Sequence, residues 1–79
     1  MKSYTYTFGQ IRKVRDFCQK AIQQNFDIEC RQKSFTVDAK SILGLFSLDL
    51  TQPITIEFPT ISNNSDFEQY IIALGATKV

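Results

Sequence analysis

The chain has 79 residues, 43% of them hydrophobic and seven of them Phe, which is enough for one small core without staples. No run approaches the ~18 apolar residues of a membrane span, and no signal-peptide pattern of basic, apolar and small residues opens the chain. The expectation is therefore one cytoplasmic domain over residues 1–79 with no membrane role. The net charge of +1 hides a split: residues 1–33 carry Lys2, Arg12, Lys13, Arg15, Lys20, Arg31 and Lys33 against Asp16, Asp27 and Glu29, a balance of +4, and the remainder is −3. A basic region of that size suits an anionic partner but falls short of a domain that grips nucleic acid without specificity.

In chain order, Tyr4, Tyr6 and Phe8 alternate with Thr5 and Thr7 in the segment Ser3–Phe8, the period of a half-buried strand that Gly9 ends. Between Ile11 and Asn25 the apolar residues Ile11, Val14, Phe17, Cys18, Ala21 and Ile22, continued by Phe26, recur at steps of three and four, one stripe of a helix. Alternation returns through Ile28 and Cys30. After a polar turn at Lys33 and Ser34, Phe35 and Val37 predict another inward-facing strand. The run from Val37 to Leu48 reads as one or two helical turns followed by a loop. Pro53 then opens a strand with Ile54, Ile56 and Phe58 on one face. Ser65 and Glu68 have the spacing of a capping box, and the helix they open presents Phe67, Tyr70, Ile71 and Leu74 before Gly75 stops it.

The order β-α-β-β-α-β-α predicts an α+β two-layer open-faced sandwich, a four-stranded antiparallel sheet with helices on one face. Cys18 and Cys30, with no histidine in the chain, cannot supply the usual four zinc ligands. Both fall on apolar faces and read as buried, reduced thiols. No metal and no cofactor is expected. The sequence also lacks a Ser-His or Cys-His pair, a glycine-rich phosphate loop and a recognisable carboxylate pair, so it does not read as an enzyme.

The segment Thr36–Leu48, "TVDAKSILGLFSL", resembles the Lys-Ser-Ile-Met-Gly-Val-Met-Ser-Leu segment of HPr, the small phosphocarrier of the bacterial sugar phosphotransferase system. Lys40, Ser41, Ile42, Gly44, Ser47 and Leu48 are identical to it, and the element order and length also agree. The resemblance implies an HPr-like domain. It also exposes a departure, because the family carries phosphate on a histidine in a Gly-x-His-x-Arg-Pro motif at the start of the first helix. Aligning Gly9 puts Ile11 at that histidine, and a one-residue slip puts Gln10 or Arg12 there; none of the three can form the phosphoramidate that histidine forms. A family variant with glutamine at this position acts only in regulation.

What remains is Ser41. The matching serine of the family is phosphorylated by a dedicated HPr-type serine kinase in many Gram-positive bacteria, and the modified form binds a transcriptional regulator. As residues alone, Ser41 is a natural N-cap, and a phosphate there meets unpaired amides and the positive end of a helix; capping alone is the competing reading. The helical spacing puts Leu45 and Leu48 on one side and leaves Ile42, Leu43 and Phe46 too broadly spread for a two-turn helix to bury completely, with Phe46 turned inward as core the competing reading. The resemblance makes these three a docking patch for proteins of the phosphotransferase system, rimmed by Lys40. Arg12, Lys13 and Arg15 oppose the dipole at the start of their helix, which suits either a solvated face or contact with an acidic partner. The chain thus reads as a monomeric regulatory protein-binding module, with a docking or scaffold domain devoid of phosphorylation as the alternative. Base stacking by RNA on Tyr4, Tyr6 and Phe8 is the reading from another class.

Overall fold

The computed structural model describes residues 1–79, the side chain of Ser62 excepted. The elements in order are β1 (Lys2–Tyr6), α1 (Ile11–Ile22), β2 (Glu29–Gln32), β3 (Phe35–Asp38), α2 (Ile42–Phe46), β4 (Ile54–Phe58), α3 (Ser65–Leu74) and β5 (Thr77–Lys78), with a 3-10 turn at Ser62–Asn64 leading into α3. The strands form one antiparallel sheet in the order β3-β2-β4-β1-β5.

Register explains why one face is dry. Cys30 lies opposite Ile56, and Ile56 opposite Tyr4, so the alternating apolar residues of three strands fall in one row. All three are buried. The adjoining row on the other face reads Thr36, Arg31, Thr55, Thr5, Thr77 across all five strands and stays polar. The helices cover the dry face with Val14, Phe17, Cys18 and Ala21 of α1, Leu45 of α2, and Phe67 and Ile71 of α3. Phe67 is the hub, its ring 5.9 Å from Phe17, 6.0 Å from Phe26 and 5.3 Å from Phe58 between centroids. Edge and tilted contacts of this kind add to what area burial alone supplies.

Several expectations need correction. The sheet has a fifth strand: Gly75 adopts a left-handed conformation (φ 111°) that ends α3 and turns the chain so that Thr77 and Lys78 pair with Thr5 and Tyr4. Two residues carry no period, so pairing with the open edge of β1 is what makes them a strand. β1 stops at Tyr6, short of Phe8, and α1 stops at Ile22, short of Asn25. At the two ends of the stripe Ile11 and Ile22 are exposed, Ile22 lining a cleft toward Ile42.

Phe35 is not buried in the core. It shares the face of Val37, but on the edge strand β3 it stays 62% exposed. The capping box is absent too. Asn64 is the N-cap residue of α3, without a side-chain cap bond, and Ser65 is already helical. Glu68 instead accepts hydrogen bonds from the Lys2 ammonium (2.6 Å) and the Tyr4 hydroxyl (2.5 Å), tying α3 to β1.

Candidate functional site

Ser41 heads α2. Its backbone is extended (φ −107°, ψ 109°) and its Oγ accepts a hydrogen bond from the Gly44 amide at 3.1 Å, the geometry of an N-cap. The residue is exposed, so the hydroxyl caps the helix at the surface. The short helix lies close to β3, and Gly44 is the reason. A Cβ built there would stand 3.2 Å from the Val37 Cβ and 3.3 Å from the Ser41 Oγ, tighter than ordinary contact. Glycine lets the backbone approach strand and cap together.

The apolar residues of α2 divide as their spacing requires. Leu45 is 1% exposed and Leu48 is buried, whereas Leu43 is 80% and Phe46 42% exposed. Ile42 falls between: half-buried, it packs on the core and faces α1. The outward apolar surface is therefore Leu43 and Phe46, with Ile42 along one side.

Lys40 does not stand free at the rim. Its ammonium donates to the Gln24 carbonyl at 2.9 Å, just beyond the end of α1. A cation on the last carbonyls of a helix satisfies an orphan acceptor and complements the dipole. Lys40 and Ile42 face Arg15, Asp16, Cys18, Gln19 and Ile22 across a cleft of about 400 Å³ between α1 and α2.

At the other end of α1, Gln10 is the N-cap residue but makes no side-chain cap bond, and the first turn holds no acid. Ile11, the first helical residue, is 59% exposed. Gln10, Arg12, Lys13 and Arg15 are exposed as well. Of these basic residues, Arg15 alone lines the cleft with Lys40 and Ile42, while Arg12 and Lys13 lie toward the start of the helix. The N-terminal turn of α1 thus carries positive charge where the backbone amides are already positive, an arrangement that stability alone does not favour.

The two cysteines are free and buried. Burial, with the Asp38 carboxylate and the other thiol nearby, pushes the Cys30 thiol up to about 12, so it is held protonated and inert. Burial takes two of the three aromatics proposed for base stacking out of reach: Tyr4 is 3% and Phe8 2% exposed, and only Tyr6 is half-buried.

A polar-faced antiparallel sheet with helices on its dry side, the short capped one lying near the β3 edge, is the architecture of an open-faced α+β sandwich. The chain is similar in structure to a solved protein described as HPr-C-His from Thermoanaerobacter tengcongensis, with a TM-score of 0.70 and 22% sequence identity over 89% of this chain and 84% of that one. That likeness establishes an HPr-like fold. No protein-family model matches the sequence, and no curated protein matches it. Among the described residues no helix is long and apolar enough to cross a membrane.

Proposed function

We propose that this chain is an HPr-like regulatory module of the sugar phosphotransferase system, one that carries no phosphate on histidine and works by docking proteins through Ser41 and the apolar surface beside it. The sequence contains no histidine, and Ile11, the residue aligned with the family's phosphorylated position, has no group that can accept phosphate. Its neighbours Gln10 and Arg12 have no imidazole either, so neither can form the phosphohistidine on which the family's carrier reaction depends. The function left to the fold is recognition.

The observation that carries the reading is the placement of Ser41. Its hydroxyl lies at the surface, at the head of a helix whose Leu43 and Phe46 project outward. A phosphate there adds about −1.5 to −2 charges beside an apolar patch, which changes what the surface binds without displacing any core residue. Arg12, Lys13 and Arg15 supply the charge an acidic partner would meet, whether a phosphotransferase protein or a transcriptional regulator.

The test is incubation with an HPr-type serine kinase and ATP. The γ-phosphoryl group passes to the Ser41 Oγ, ADP leaves, and the hydroxyl proton goes to the kinase's base. Mass spectrometry should locate the phosphate on Ser41 and find none in Ser41→Ala. No phosphate on Ser41 would leave only the alternative, a docking or scaffold domain whose serine is purely a helix cap.

A further inference from the structure

We propose that Lys40 reads the charge on Ser41: its ammonium, now on the Gln24 carbonyl, moves to a phosphate at Ser41 and releases the last turn of α1. The inference rests on the regulatory reading above. It assigns that reading a physical response within the molecule.

The geometry supplies both ends of the switch. Lys40 and Ser41 are consecutive, with α-carbons ~3.8 Å apart, so the flexible lysine stem can bring its ammonium to either acceptor. At present that ammonium bridges 16 residues of sequence to Gln24 at 2.9 Å in a part-buried contact. Gln24 in turn closes the end of α1: its amide donates to the Ala21 carbonyl at 3.0 Å, and its Nε2 donates to the Lys20 carbonyl at 2.9 Å. Lys40 is therefore the strap that holds the exit of α1 against the start of α2.

The two acceptors differ in charge. The Gln24 carbonyl is neutral, while a phosphoserine at neutral pH is close to a dianion. The present bond already has an ionised donor; a phosphate adds an ionised acceptor and with it the Coulomb attraction of opposite charges. Water screens an exposed pair, yet adjacent residues lie well inside the ~8 Å Debye length of physiological salt. Three other charges face the same place. The Asp38 carboxylate accepts from the Lys40 amide at 2.9 Å and repels a phosphate, strengthening its demand for a cation. Across the cleft, Arg15 is the rival cation and Asp16 a second carboxylate that competes for Lys40.

At 79 residues the chain is within reach of chemical synthesis, which installs phosphoserine at position 41 with no kinase. Failure of the kinase experiment and failure of this one are thus separate results. The readout is NMR: the Gln24 carbonyl carbon shift and the exchange rates of the Gln23 and Gln24 amides. Phosphorylation should move the carbonyl shift toward that of unphosphorylated Lys40→Met and speed both amides by about tenfold, the order expected on losing a hydrogen bond to a charged group. In Lys40→Met the amides should already exchange fast, and phosphate should add nothing. Lys40→Arg should keep the response. Raising salt to about 1 M, where the Debye length falls to ~3 Å, should suppress it in the unmutated chain; this arm needs no variant to fold. Unchanged Gln24 signals on phosphorylation overturn the proposal. An equal acceleration in Lys40→Met also overturns it and points to Arg15.

Discussion

Leu43 and Leu45 stand two positions apart on the same short helix and differ almost completely in exposure, so truncating each to alanine separates docking surface from core. Leu45 is 1% and Leu43 80% exposed. Removing a buried leucine costs about 2–5 kcal/mol, a transfer loss plus a cavity. A chain of 79 residues has only about 4–12 kcal/mol of total stability. Leu45→Ala should therefore lose a large part of the fold's margin and lower the melting temperature by roughly 10 °C or more. Leu43→Ala touches little and should stay within about 0.5 kcal/mol of the parent. Urea unfolding followed by circular dichroism measures both, and the unfolding slope should be the same in the two variants. Phosphorylation of Ser41 by an HPr-type kinase should show the opposite order, with Leu43→Ala impaired and Leu45→Ala affected only through unfolding. Comparable destabilisation by both substitutions would refute the division of α2 into an inner and an outer side.

Replacing Gln10 by Asp should stabilise the protein by about 1 kcal/mol in thermal melts, since the position has N-cap geometry (φ −136°, ψ 142°) but no cap bond. Gly44→Ala should fail to gain the ~0.5–1 kcal/mol that alanine normally brings to a helix, because its Cβ meets Val37 at 3.2 Å; a full gain in urea unfolding would contradict the close packing of α2 on β3. The Lys2 ammonium, with the Tyr4 hydroxyl, holds the Glu68 carboxyl below its usual 4.5. Its contribution is present above pH 4.5 and is lost as the pH falls through the lowered native value. Glu68→Gln should flatten that acid limb in pH-dependent melts. On the alkaline side, the hydrogen bond to Glu68, with burial, raises Tyr4 from 10.0 to about 12. That contribution is complete below pH 10 and disappears as the pH rises through about 12. Tyr4→Phe should remove this part of the alkaline loss.

The sequence was most legible where one element's period settles the matter. Helical angle separates Leu45 from Leu43 and Phe46, with the outward side indicated by the family resemblance, and the alternation of Ile54, Ile56 and Phe58 gives β4 its buried face. It misled where period fixes a direction but not a cover. Phe35 lies on the strand face that its alternation with Val37 requires, yet its place at the sheet edge leaves it exposed. The spacing of Ser65 and Glu68 is local, whereas the partners that claim Glu68 come from β1, 64 and 66 residues away. β5 and the attachment of Lys40 to Gln24 were invisible for the same reason: each depends on a distant backbone group, the edge of β1 in one case and the end of α1 in the other.

That first strand also bears on how the protein is made. Of the five strands β1 is made first, yet its neighbours in the sheet are β4 and β5 and its side chains are held by α3. No hairpin with the next strand in sequence shelters Tyr4 and Tyr6, since the strands that flank β1 start at residues 54 and 77. The stretch must wait, extended and aromatic, until β4 and β5 have been made, and closing so long a loop is slow. During synthesis β1 is therefore a strand left open to chaperones and to misassociation.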